Sequence, residues 1–270
     1  MINLVVAIPC EAKPLIQHLH LQKQAGYDYD LYQGEGINLI VCGVGKLAAA
    51  MACAWLQGLR ATSITADNAW LNIGIAGHGY QPLGSGFLAH RISEQNNDRC
   101  WYPGFSFKRP CPSAALVTVN AAEFQYPDDA LYDMEGTGFF TACQRFSSVE
   151  LIHCFKVVSD NQFSSIENIN EANVSELIRN QLPTIDDIIE CLRQSRQYLA
   201  RFQEPPPFYA DCLQRWHFTH YQRKQLHQLL WRRQALLADI ALPDEFAHLR
   251  DAGQALNYLQ QDTDRQPVTF

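Results

Sequence analysis

Five short runs of nearly unbroken apolar residues punctuate the first 160 positions: INLVVAIP (2–9), INLIVCGVG (37–45), AWLNIGIAG (69–77), SAALVTVN (113–120) and LIHCFKVVSD (151–160). A strand that meets water on one side alternates apolar with polar residues, whereas one covered on both faces has no need to. These runs are strand-length and break off into glycine, proline or polar residues. Between them lie stretches such as KLAAAMACAWLQGLR (46–60), rich in Ala and Leu with apolar spacing near the helical period. Strands alternating with helices lead us to expect an α/β fold of three layers, with a mostly parallel (mixed) sheet between helices.

The pattern changes at EPPPFY (204–209), where three prolines, Pro205–Pro207, rule out a continuing helix or a central strand. Before it, residues 174–202 read as helix, broken near Pro183. After it, residues 208–242 read as a long amphipathic helix or a helix pair. We therefore expect an α/β domain over 1–203 and a helical extension over 204–270.

Composition narrows the function classes. With 270 residues, 47% hydrophobic, the chain can bury a sizeable core. A formal net charge of −7 gives no general argument for a nucleic-acid partner. Nine scattered cysteines, an odd count with no zinc-type spacing, read as reduced thiols of a cytoplasmic protein. The first residues, MINLVVAIPCEAK, lack a basic leader, and no stretch approaches the ~20 apolar residues of a membrane span. In the extension, His217, His220 and His227 lack a carboxylate partner, so no metal site is expected there. Arg215, Arg223, Lys224, Arg232 and Arg233 interleave with Trp216, Tyr221 and Trp231. A basic face with aromatics binds nucleic acid in some proteins, but packing of an amphipathic helix is the reading we favour.

Ligands of open α/β sheets bind outside the carboxyl ends of the strands. The strand exits here read Pro9-Cys10-Glu11, Gly43-Val44-Gly45-Lys46, Gly74-Ile75-Ala76-Gly77-His78-Gly79, Asp133-Met134-Glu135 and Ser159-Asp160-Asn161. Acids and glycines thus gather along one rim, glycines because they let backbone approach a ligand closely. Converging carboxylates suit cleavage through an oxocarbenium-like state, one acid activating water and another protonating the leaving group. Plainer readings stand beside this one. Glu11 also suits a helix start, Asp160 a helix N-cap, Asp133 a solvated turn, Lys46 an exposed helix start and His78 a turn between two glycines.

IPCEAKPL, CGVGKLAAA, NIGIAGHG, DMEGTG and VVSDN, in this order over residues 5–161, resemble the nucleoside phosphorylase and nucleosidase superfamily. The methylthioadenosine/S-adenosylhomocysteine nucleosidase branch is the nearest. The resemblance implies a sheet of the purine nucleoside phosphorylase type. It makes Glu11 the acid that activates water, and Asp160 a protonated acid, in an apolar setting that raises its pKa, that donates towards the purine. Glu135 would bind the sugar hydroxyls and Met134 would wall the sugar. Gly77, Ile75, His78 and Val158 would complete the substrate contacts. It implies no metal or redox cofactor, a small-molecule nucleoside as partner, and a homodimer whose neighbouring subunit partly closes the pocket. Departures from the family pattern are Ile75 for a serine, Lys156 for an arginine and Asp133 for a glutamate. The aromatic that meets the base has three candidates, Phe105, Phe107 and Phe124. The expected reaction is hydrolysis of a purine nucleoside, with Glu11→Gln abolishing it at little cost to folding. A phosphate-dependent phosphorylase and a non-catalytic nucleoside-binding protein of the same fold are the alternatives.

Overall fold

The apolar runs become the central strands of one sheet in a computed structural model that describes residues 1–59, 68–165, 169–200, 205–237 and 241–265. Strand β1 (Ile2–Val6) lies between β4 (Ile37–Val41) and β5 (Ala69–His78), parallel to both. Strand β10 (Ile152–Asp160) pairs parallel with β5. The hairpin partners β2 (Gln22–Gln24) and β3 (Asp30–Gly34) extend the edge beyond β4, antiparallel.

The other end of the sheet departs from a plain three-layer arrangement. Strand β6 (Gly86–Glu94) runs antiparallel to β10 and parallel to β8 (Ser113–Thr118). Strand β9 (Ala130–Asp133) continues parallel to β8 and returns antiparallel to the last residues of β5. The order β10-β6-β8-β9-β5 therefore closes on itself, because β5 also pairs with β10. The short β7 (Cys100–Trp101) hangs on β6. Mixed α/β is the right class, but part of the sheet is a five-stranded barrel. Closure removes exposed strand edges that an open sheet leaves unpaired.

Helix α1 (Pro9–His18) follows β1, with Pro9 in the first turn, where its missing N–H costs nothing. Helix α2 (Lys46–Gly58) follows β4 and packs on α3 (Gly136–Cys143). Helix α4 (Glu171–Asn180), capped by the Asn170 side chain, packs on α1. Only Gln181 separates α4 from helix α5 (Leu182–Ala200), so the helical stretch is broken near Pro183 as expected, with the proline in the first turn of α5. The core holds Trp70, Phe139, Phe140, Ile152 and Val158, all at 1% exposure or less. Burial of side chains this size contributes ~1.5–3 kcal/mol each.

The chain forms two compact units, Met1–Gln197 and Tyr198–Phe270. The expected boundary at residues 203–204 lies outside the described residues, as do Arg60 and residues 238–240 of the helical stretches. The second unit is a helix pair and more: α6 (Tyr209–Arg215), α7 (His220–Leu237) and α8 (Ala252–Asp264). It has its own core of Trp216, Phe218, Leu226, Leu230, Phe246 and Leu259. His217 lies between α6 and α7, so the three histidines do not share one helix face. Among the described residues no cluster of His, Cys, Asp and Glu is arranged to hold a metal ion. Nor do the basic residues form one open face: Arg233 Nε donates to Asp262 at 2.9 Å and Arg232 pairs with Asp264 at 2.9 Å. No helix among the described residues is long and apolar enough to cross a membrane. All nine cysteines are unpaired thiols.

Candidate active site

Glu11, Ile75, Gly77, Met134, Glu135 and Asp160 line one cavity of about 150 Å³, at the point where β1, β5, β9 and β10 end. The topology explains the convergence. β1 and β10 flank β5 in parallel and exit on one side, and β9, although antiparallel to β5, meets it at Gly77, so its carboxyl end reaches the same rim.

Glu11 is 2% exposed, in the first turn of α1. Its Oε2 accepts from the backbone N–H of Ala7 at 3.0 Å and Ile8 at 3.2 Å, and its Oε1 from Ile75 at 2.9 Å. The helix-start role and the site role thus coexist in one side chain. Burial pushes its pKa up, while the Lys156 charge and these N–H groups pull it down. The side chain at position 75 therefore matters less to Glu11 than its backbone N–H, which every residue but proline supplies.

Glu135 is 6% exposed and accepts from Gly45 N at 2.8 Å. Burial raises its carboxyl to about 7; Lys156 opposes the rise and Asp133 adds to it. Gly45 sits at φ 104°, a backbone that suits glycine, so the CGVG turn is shaped to aim one N–H at this acid.

Asp133 is not a solvated turn acid: it is 4% exposed, accepts from Thr118 Oγ1 at 2.8 Å and Gly136 N at 2.9 Å, and pairs with Lys156 Nζ at 2.8 Å. Lys156, 1% exposed, also stands 3.9 Å from Glu135 Oε2. Burial alone would lower its pKa, but Asp133 and Glu135 outweigh that and raise it, keeping it cationic. One buried lysine thus balances three acids. A Cβ on Gly74 would lie 2.8 Å from Glu11 Oε1 and 3.4 Å from Lys156 Nζ, which is why glycine stands there.

Asp160 is 2% exposed, but its surroundings are polar rather than apolar. Ser159 Oγ donates to Oδ1 and the Tyr126 phenol donates to Oδ2. No helix begins at Asp160, so it is not an N-cap; Asn161–Ser164 forms a turn instead. Burial and the bond to Asp160 raise the Tyr126 pKa and hold its proton.

The remaining candidates divide. Met134 and Gly77 line the cavity. Val158 does not: it is fully buried in the core. His78 is 1% exposed, 3.4 Å from Asp129, and lines a separate groove with His90 and Arg91. Burial lowers its pKa, only partly offset by Asp129. Lys46 pairs with Glu94. Phe105 and Phe107 pack on buried His153, with ring centroids 5.1 and 5.2 Å away, and Phe124 is 59% exposed. Among the described residues the aromatic that lines the cavity is Tyr132, and Tyr126 reaches Asp160 beside it; sequence reasoning passed over Tyr126 because its segment, AAEFQYPDDA, shows no period.

No protein-family model matches the chain, and no curated protein matches it in sequence. Solved structures do. A 5′-methylthioadenosine/S-adenosylhomocysteine nucleosidase from S. pneumoniae, with the transition-state inhibitor MT-ImmA, is 17% identical at a TM-score of 0.55, over 71% of this chain and 99% of its own. The 5′-methylthioadenosine nucleosidase of Arabidopsis thaliana is 17% identical at 0.58, over 71% and 95%. The futalosine hydrolase of Helicobacter pylori is 10% identical at 0.56, over 70% and 97%. The first unit's fold is therefore the one seen in these nucleosidases and this hydrolase.

Proposed function

We propose that the chain hydrolyses the N-glycosidic bond of a purine nucleoside of the methylthioadenosine/S-adenosylhomocysteine kind, releasing free base. The observation that carries this reading is the gathering of Glu11, Glu135 and Asp160 around one cavity. In this reading water attacks the anomeric carbon as the C–N bond breaks. Glu11, made more basic by burial, takes the proton water gives up. Asp160 supplies a proton to the departing base. Glu135 grips the sugar hydroxyls more tightly as the ring becomes cationic, which lowers the barrier. Met134 forms the apolar wall of the sugar site. The net change is addition of water across one bond.

Hydrolysis is favoured over phosphorolysis because a phosphate dianion needs cationic donors. No Arg or Lys is among the described residues that line the cavity, and Lys156 behind it is committed to Asp133. The catalytic unit is proposed to be residues 1–203, the protein cytoplasmic, and a homodimer its working form.

The deciding experiment incubates the purified full chain with a panel of purine nucleosides, with and without phosphate, and follows free base by chromatography. Equal base release in both conditions is expected. Release only with phosphate, with ribose 1-phosphate as co-product, would make it a phosphorylase. No free base from any nucleoside would leave a binding protein on this fold.

A further inference from the structure

Both oxygens of Asp160 are engaged by hydroxyl donors of the protein itself, Ser159 at Oδ1 and Tyr126 at Oδ2. The Tyr126 ring fills the space over the glycine segment: a Cβ on Gly77 would lie 2.6 Å from its Cε1 and 2.7 Å from Asp160 Oδ2. A Cβ on Gly79 would lie 3.4 Å from the Tyr126 Cβ. The glycines that the sequence assigns to close ligand approach therefore seat a tyrosine. The cavity beside it holds about 150 Å³, whereas small-molecule sites commonly run from roughly 300 Å³ upward.

The backbone of Tyr126 adds an independent observation. Its φ of 45° lies in the left-handed region, uncommon for a bulky residue. Such a conformation persists only where surrounding contacts hold it, and it clusters at switch and clamp positions. The segment that carries it, between β8 and β9, is mostly exposed: Ala121, Ala122, Phe124, Gln125, Pro127, Asp128 and Asp129 all face solvent. A segment with so little buried surface is inexpensive to shift.

We propose that Tyr126 is the specificity-determining residue of this site: its phenol stands in the place of the base edge at Asp160, and a base enters only by displacing it. The proposal rests on the nucleosidase reading in naming the incoming edge as that of a purine. An entering base must donate an N–H to Oδ2, since a ligand that removes the phenol without replacing its hydrogen bond leaves that buried oxygen without a partner. Apparent affinity is reduced by the fraction of molecules in which Tyr126 is seated.

The test is calorimetric titration of adenine into the full chain, as wild type, Tyr126→Phe and Tyr126→Ala. Tyr126→Phe keeps the ring over Gly77 and loses only the bond to Asp160, so it guards against misfolding of the alanine variant. Loss of the phenol's hydrogen bond to Asp160 should tighten adenine binding by about two- to tenfold. KM for a cleaved nucleoside should fall in step, with the gain in KM rather than kcat. Equal or weaker adenine binding in both variants would overturn the proposal, and if wild type still cleaves nucleosides the hydrolase reading survives. Tighter adenine binding with no nucleoside cleaved by any of the three would uphold the role of Tyr126 and sink the hydrolase reading. Adenine binding by none of them would overturn displacement by a purine.

Discussion

Lys156 concentrates the energetics of the site in one residue, because a fully buried cation here serves Asp133 directly and Glu135 and Glu11 through space. Removing one partner of a buried ion pair costs about 3–5 kcal/mol, most of it from the charge left behind. Lys156→Met should lower the urea unfolding free energy by that order, and Asp133→Asn in the same chain should recover part of the loss. The same variant reaches into catalysis. Glu135 is held at about 7 against an ordinary 4.5, with Lys156 pulling it down. A carboxylate that must be ionised to grip sugar hydroxyls gives activity that rises with pH through about 7, and without Lys156 that limb should move upward. A pH profile of kcat/KM on both proteins checks it; an unmoved limb would detach Glu135 from the rate. The stability sign runs the other way. A raised folded-state pKa means the native protein binds the extra proton, so the contribution of Glu135 is present below pH 4.5 and lost as pH rises through about 7. Glu11→Gln is more costly than the sequence suggests. An amide has one acceptor oxygen for three backbone N–H groups, so beside a loss of cleavage of about 10²–10⁴-fold we expect about 1–3 kcal/mol of destabilisation in a thermal melt. The acids were legible as strand exits. The Lys156–Asp133 pair was not, since it forms only because β5 lies between β9 and β10 in the closed ring.

At the scale of elements, the order of strands and helices was readable wherever a strand is covered on both faces, as in β1, β4, β5, β8 and β10. Strand β6 escaped because His90 and Arg91 are exposed in its middle, and β9 because four residues are too few to show a period. Barrel closure depends on pairings between strands distant in sequence, which no local pattern encodes. Val158 shows how a small irregularity misleads. In a regular strand it would share a face with Asp160, two residues on, but β10 shifts register against β5 between these positions. The bulge leaves Val158 in the core and turns Asp160 to the cavity. Helix contacts set another site distance. At Gly138, in α3, an added Cβ would overlap the backbone carbonyl of Lys46, the first residue of α2. Backbone cannot yield as a flexible side chain does, so Gly138→Ala should push α2 from α3 and draw the neighbouring Gly45 N–H off Glu135. We expect at least the 1–3 kcal/mol of an overpacked core, together with weaker substrate binding, by denaturant titration and KM. A stable variant with unchanged KM would show that α2 is not what holds Gly45 in place.

For the whole molecule, the division into Met1–Gln197 and Tyr198–Phe270 carries thermodynamic content. Among the described residues one large core draws on residues between Val5 and Val158 and another on residues between Cys212 and Leu259. The described residues that line the cavity likewise belong to the first unit. Units with separate cores depart from a single all-or-none transition. A domain of about 70 residues rarely gains more than ~3–5 kcal/mol from its core, so the second unit should melt first. Its charge pairs do not alter that ranking: Arg232 with Asp264 is half exposed, where such pairs contribute little, and only Arg233 with Asp262 is largely buried. Differential scanning calorimetry of the full chain should therefore show two steps, and a chain ending at residue 203 should keep the higher one with nucleoside cleavage intact. A single sharp transition in the full chain, with a truncated protein that neither folds nor cleaves, would show instead that the extension is part of the catalytic fold.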